Sequence, residues 1–326
     1  MSCYLVKLDC NPTTTNTILT KLSVWMDQER PQSSISQDSR EYSMLPKASA
    51  MDFNAAGLPA LNVDLRAHKL PIAIPWIVLL FTACVLPIAG FYALHFATDV
   101  ELSIQLAPWL GLFGVASLQS LFTRTWRLIK NTNGCRPLGQ SSAIGLDFFG
   151  WNFIFGFVVL TVAISLGIGL EIMELASIPL SILILYVCLE LLICQLFMAF
   201  GIGAPFRISS IARGTTVRPG VYVIAEDVVA VDAKRGRAFR EAFQARYEAS
   251  PAMRAHLRRL DYIWGVSGLL VVAVIFGVVF GVKNKLVGYG VGWALPWAWA
   301  GAMALTTFRM GSGVLMKERE MQNIHS

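Results

Sequence analysis

The sequence predicts an all-α, polytopic helical membrane protein, with about six transmembrane helices and one long polar loop on the cytosolic side. Three observations carry that expectation. Charged residues make up only 15% of the 326-residue chain, against 55% hydrophobic ones, whereas a soluble domain carries about 25% charged residues. Apolar runs near 71–97, 102–123, 147–170, 178–203, 262–282 and 286–308 each suffice to cross a bilayer, which takes about 20 residues. Of the 27 Lys and Arg, all but Lys283 and Lys285 fall on one side of those spans, the side that basic residues mark as cytosolic.

In chain order, residues 1–69 form a polar tail rich in Ser, Thr, Asn, Gln and Pro, with seven basic and seven acidic residues. Such a segment buries too little apolar surface to offset its ordering entropy and reads as disordered. An alternative reading starts translation at Met44 or Met51. The first residues, Met1 to Lys7, lack the apolar core of a signal peptide, so the first span does the targeting, to the endoplasmic reticulum or another secretory-route membrane. Spans one to four occupy 70–203, the cytosolic loop 204–261, spans five and six 262–308, and a cytosolic tail 309–326. Trp76, Trp126, Trp151 and Trp264 fall at the expected cytosolic helix ends, where an indole sits at headgroup level. Gly277-x-x-x-Gly281 and Gly288-x-x-x-Gly292 permit close helix approach. The six cysteines show no C-x-x-C spacing, so no disulfide or zinc framework is expected.

Within the loop, Arg218-Pro219-Gly220 marks a turn, and Val221–Val231 is dense in β-branched residues. That density favours a strand or extended segment, with a buried helical turn as the alternative. From Gly236 the pattern changes. Phe239, Phe243 and Tyr247 recur every four residues among Arg237, Arg240 and Arg246, the pattern of an amphipathic basic helix. Ser250-Pro251 then supplies an N-cap with proline at the first helical position. Two readings of the basic helix stand. It docks on an anionic leaflet or on a membrane-protein partner through Arg237, Phe239, Arg240, Phe243, Arg246 and Tyr247, or its aromatics pack on the loop's own core. No nucleic-acid module accompanies the charge. Arg207-Ile208-Ser209-Ser210 matches a basophilic phosphosite, a pattern common by chance.

The segments Pro205-Phe206-Arg207-Ile208-Ser209-Ser210, Arg218-Pro219-Gly220-Val221-Tyr222 and Glu226-Asp227-Val228-Val229-Ala230-Val231-Asp232 resemble a family of filamentous-fungal multi-pass membrane proteins. So does Arg246-Tyr247-Glu248-Ala249-Ser250-Pro251. The resemblance covers about residues 70–326. It implies an integral membrane protein of unassigned activity, in a family sometimes met beside secondary-metabolite genes, and carries over no catalytic residue.

Candidates for chemistry are few. Glu190 is the one acid deep in a span, near mid-bilayer by residue count. Such an acid faces the bundle interior and takes a partner there, either as a proton relay or ligand group or as a neutral structural carboxyl. Tyr289, Trp293 and Trp297 form an i, i+4, i+8 stripe on the sixth span, a candidate ligand wall or ordinary helix packing. Asp99, Glu101, Glu171 and Glu174 gather on the non-cytosolic rim, but their spacing alone gives no cation site, so no metal and no cofactor is expected. No desaturase-like histidine cluster, Walker loop or G-x-S-x-G elbow occurs. The sequence therefore points to a non-enzymatic accessory, scaffold or transport component in the bilayer, its oligomeric state open. The rival is a small membrane enzyme of cyclase or isomerase type, using Glu190 as its acid.

The orientation makes a direct prediction. Protease added to sealed microsomes is expected to cut the tail, the long loop and the C-terminus. A glycosylation acceptor placed within Gly236–Ala249 is expected to stay unmodified. Its modification would reverse the topology.

Overall fold

The computed structural model describes residues 77–78, 80–140 and 145–325, with side chains as far as 311. The tail at 1–69 and Trp76 lie outside the described residues. Those described form helices joined by short connectors and one irregular loop, with two isolated β-bridges, Gly203–Thr216 and Ile208–Ile211, and no strand. We number the helices α1 (Phe81–Ala97), α2 (Leu102–Lys130), α3 (Phe148–Gly169), α4 (Met173–Ser177), α5 (Pro179–Ala199), α6 (Gly220–Val231), α7 (Gly236–Ala249), α8 (Pro251–Gly281) and α9 (Lys285–His325).

The protein is thus an all-α polytopic membrane protein. By length and composition α2, α3, α5 and α8 can each cross a membrane. The apolar helix α1 is shorter over its described residues, and α9 is long but rich in Gly and Trp. α2 outruns its apolar stretch by about two turns, to Lys130. α8 begins at Pro251 and runs unbroken through Asp261 into its apolar half, with the Ser250 hydroxyl accepting from the Met253 N–H at 3.1 Å as its cap.

α8 lies along both α5 and α9. The small residues that permit this are Gly265 and Gly268: a Cβ on Gly268 would meet Cys188 Sγ at 2.2 Å. Gly292 is likewise tight, against the Ser177 carbonyl, whereas Gly277 and Gly281 face open space. Half of the expected glycine contacts therefore lie elsewhere, because periodicity in one helix does not reveal which face its neighbour covers.

Val221–Val231 is helix α6, not a strand. Its cap comes from far away. Asp261 on α8, fully buried, accepts from the Gly220 and Val221 N–H groups, each at 2.8 Å. A carboxylate at a helix N-terminus satisfies orphan donors and favours the helix dipole. The Gln195 amide of α5 donates to the same carboxylate at 2.6 Å, so one side chain joins α5, α6 and α8. This tertiary bond overrides the β-preference of the valines.

Removing it has a foreseeable cost. Asp261→Ala is expected to lower the unfolding midpoint of the detergent-solubilised protein, at about 1–3 kcal/mol for each buried donor left unpaired. Asp261→Asn, which keeps one acceptor oxygen, is expected to recover part of that loss.

Candidate functional site

Two constructions lie where the loop meets the spans. The first is an ionic clasp. Arg240 projects from α7, fully buried, and donates through Nη1 to Asp227 at 2.7 Å and Glu226 at 3.0 Å. Its Nε and Nη2 both reach the Cys135 carbonyl of the α2–α3 connector, at 3.1 and 3.0 Å. Arg124 of α2 donates to Asp147 at 2.5 Å and also to Asp232, and stacks over Phe149 at 4.6 Å. Asp147 caps α3 through the Gly150 N–H at 2.7 Å. Asp227 accepts from the Phe149 N–H at 3.1 Å and from Ser209. The clasp therefore ties the α2–α3 connector and the start of α3 to Ser209, α6 and α7, on one rim of the bundle. At the opposite rim Lys285 pairs with Glu174 at 2.5 Å. Among the described residues no group of three or more His, Cys, Asp or Glu could hold a metal ion.

The clasp decides where the basic helix faces. Phe239, Arg240, Phe243, Arg246 and Tyr247 are all buried. The three aromatics share a core with Tyr222, Met253 and Leu257, and the Tyr222 and Phe243 rings stack at 4.8 Å. Of the six residues expected to dock on lipid or a partner, only Arg237 is exposed, paired with Glu241 at 2.7 Å. This face is already occupied by the chain itself. Arg240 sits beside Phe239 and Phe243 on one stripe, so its charge is directed inward, where only matching acids make it tolerable. Ser210, the serine of the Arg-x-x-Ser phosphosite pattern, is half-buried; its hydroxyl donates to Glu226 and accepts from the Leu138 N–H at 3.1 Å.

The second construction is a chamber of about 580 Å³ between the starts of α3 and the loop and the flank of α5. Glu190 finds its partner here. The Asn152 amide donates to both carboxyl oxygens, at 2.8 and 2.7 Å, and the Tyr186 hydroxyl donates to the Asn152 carbonyl oxygen at 2.9 Å. Asn152 lies four residues into α3, about 6 Å along its axis. Glu190 is therefore nearer the loop rim than the mid-bilayer depth that counting suggests, since the rim is set by where α3 begins. Phe148, Trp151, Phe155 and Phe206 wall the chamber, with Arg207 and Gln140 toward the loop. Trp151, Phe155 and Phe206 are each more than half exposed, so the chamber opens sideways. A purely apolar groove of about 260 Å³ between α3 and α5 adjoins it, sharing Phe155 and Tyr186.

The stripe Tyr289, Trp293 and Trp297 is not part of this chamber. It packs with Phe91, Leu106 and Phe113 in a separate core. Each polar tip is taken by a backbone carbonyl: Tyr289 donates to Pro87 at 3.1 Å, Trp293 to Ala176 at 2.9 Å, and Trp297 to Ala83 at 3.1 Å. Pro87 has no N–H to give the Ala83 carbonyl four residues back, and the Trp297 indole supplies one. The stripe is helix packing. Helical spacing places Tyr186 beside Glu190, but Asn152 was missed by residue counting, although it is a polar group inside an apolar helix, the signal that singled out Glu190.

The clasp holds two guanidinium groups among four carboxylates, and its acids respond. Desolvation, then the neighbouring charge of Asp227, raises Asp147 from 3.8 to about 7 against the pull of Arg124 and Arg240. Burial likewise raises Glu226 and Asp232. Between 3.8 and about 7 the folded chain keeps an Asp147 proton that the unfolded chain releases. Stability thus falls as pH rises through that window and levels off above it. The unfolding midpoint in detergent is expected to decline from about pH 5 to about pH 7.5, by at most about 1.4 kcal/mol per pH unit from this group. Asp147→Asn, which retains a capping oxygen, is expected to flatten the profile.

A family model described as "Domain of unknown function (DUF8766)" matches residues 47–322, a stretch that includes the clasp and the chamber alike. No curated protein and no solved structure matches the chain.

Proposed function

We propose that this chain, which belongs to the DUF8766 family, is a membrane-embedded binding component, an accessory or transport protein for a hydrophobic or amphiphilic small molecule. The observation that carries the reading is the Glu190 chamber. Its volume of about 580 Å³ falls within the range of small-molecule sites, about 300–1,000 Å³. Its walls are aromatic, and Asn152, backed by Tyr186, holds its one acid. The sideways opening and the adjoining α3–α5 groove suit a ligand that arrives from the bilayer with an apolar tail. A hydroxyl or amine on that ligand would meet Glu190. Small apolar compounds of secondary metabolism, the context that the resemblance implies, are the first ligands to try. The distribution of Lys and Arg supports a cytosolic loop and cytosolic termini, in a secretory-route membrane.

A carboxyl in an aromatic-walled chamber also favours a second reading, a cyclase or isomerase with Glu190 as general acid. One pair of variants separates the two. Glutamine resembles glutamate in size and hydrogen bonding but supplies no proton. The binding reading expects Glu190→Gln to remain abundant and to retain co-purifying ligand, detected by mass spectrometry, within a few-fold of the native chain. It expects Glu190→Leu, which strands Asn152, to lose ligand and stability, at about 1–3 kcal/mol. The enzymatic reading expects Gln to abolish product while ligand is retained. A Leu variant that retains ligand as the native chain does would overturn both.

A further inference from the structure

A second concavity lies on the loop domain, away from the Glu190 chamber and independent of it. It is a cleft of about 470 Å³ whose lining includes Arg218, Arg254, Arg258, Thr215, Thr216 and Gln244. Two of its guanidinium groups are held in place by the fold. Arg218 stacks over Tyr222 and Tyr247, at 4.9 and 5.2 Å to the ring centroids, and donates to the Tyr222 hydroxyl at 2.6 Å. Arg254 donates to the Tyr247 and Glu248 carbonyls at 3.0 and 2.5 Å, closing the C-terminus of α7. Arg258, exposed one turn further along α8, pairs with no carboxylate among the described residues. Burial raises the Tyr247 hydroxyl, and the charges of Arg258, Arg218 and Arg254 oppose it. All three cations therefore surround one phenol.

No acid lines the cleft itself; one stands beside it, held by two lining residues. Glu248, 57% exposed, accepts from Arg218 Nη2 and from Gln244 Nε2, both at 3.0 Å. Its carboxylate shows where an anion sits when Arg218 and Gln244 receive one. Asp261, beneath, is committed to Gly220, Val221 and Gln195. Against three guanidiniums stand one displaceable carboxylate, Glu248, and the committed Asp261 beneath, so the cleft keeps a positive excess. That excess favours an anion, and guanidinium forks match phosphate oxygens in pairs.

We propose that this cleft binds a phosphate monoester, with Arg218, Arg254 and Arg258 as its cations and Thr216 and Gln244 as neutral donors. Tyr262, where the apolar half of α8 begins, is one turn beyond Arg258, so the cleft lies level with lipid headgroups. The phosphate can therefore come from a headgroup such as phosphatidate or from solution, and recognition is the same chemistry.

The test uses the full chain in lipid nanodiscs and in detergent. Nanodiscs containing phosphatidate, phosphatidylserine at matched charge, or neutral lipid alone are compared, and inorganic phosphate is titrated in detergent. Saturable binding of phosphatidate above phosphatidylserine assigns the headgroup source, and saturable binding of inorganic phosphate assigns the soluble one; either supports the site. Arg258→Ala is expected to weaken that binding about tenfold or more. Arg259→Ala removes the same charge outside the cleft and is expected to change it less than about twofold. Glu248→Gln, which removes the competing carboxylate, is expected to strengthen it. Equal losses in the Arg258 and Arg259 variants would reduce the effect to net charge and overturn the site. So would phosphatidylserine binding as tightly as phosphatidate without any binding of inorganic phosphate, or no saturable binding of either probe.

Discussion

The buried pairing of Arg240 with Asp227 and Glu226 is the constraint on which the polar half of this molecule depends. Taking a guanidinium out of water is costly, and the cost is met only where carboxylates and carbonyls surround it. Arg240 finds two acids on α6 and the Cys135 carbonyl on another connector. α7 can therefore lie in only one orientation. That orientation turns Phe239, Phe243 and Tyr247 into the loop's core and leaves the cleft of Arg218, Arg254 and Arg258 facing outward.

The same pairing shapes the Glu190 chamber indirectly. Asp227 also receives the Phe149 N–H and the Ser209 hydroxyl, so the clasp sets the segment around Phe206 and Arg207 over the first turns of α3. Those residues form the loop side of the chamber. Asn152, about one turn into α3, is then positioned to hold Glu190 of α5. A polar network outside the spans thus places an acid within them. Three carboxylates, Asp147, Asp227 and Asp261, double as acceptors for helix N-termini. Each lowers the cost of its own burial through bonds that the backbone would otherwise lack.

Much of the fold was legible because membranes impose coarse rules. Apolar length marked α2, α3, α5 and α8, Ser250-Pro251 marked the start of α8, and the four-residue aromatic spacing marked α7. The errors have one origin. Val221–Val231 was expected to be extended because its local preference is for strands, yet Asp261, forty residues on, caps it as a helix. The basic helix offered two faces to the reader, and its acid partners at 226 and 227 stand on a different element. Arg240 and Arg246 on the aromatic stripe were the available signal that the stripe turns inward.

By itself the sequence determined what depends on neighbours along the chain: which runs are apolar enough to leave water, where helices start, and that Glu190 needs a partner. Only the tertiary structure decided which groups meet. It assigned Asn152 to Glu190, gave the tips of Tyr289, Trp293 and Trp297 to backbone carbonyls, and gathered three arginines from two distant segments into one cleft. The physical reason is range. Hydrophobic periodicity is set residue by residue, whereas a hydrogen bond or ion pair requires two groups within about 3 Å, a distance that depends on the path of the whole chain.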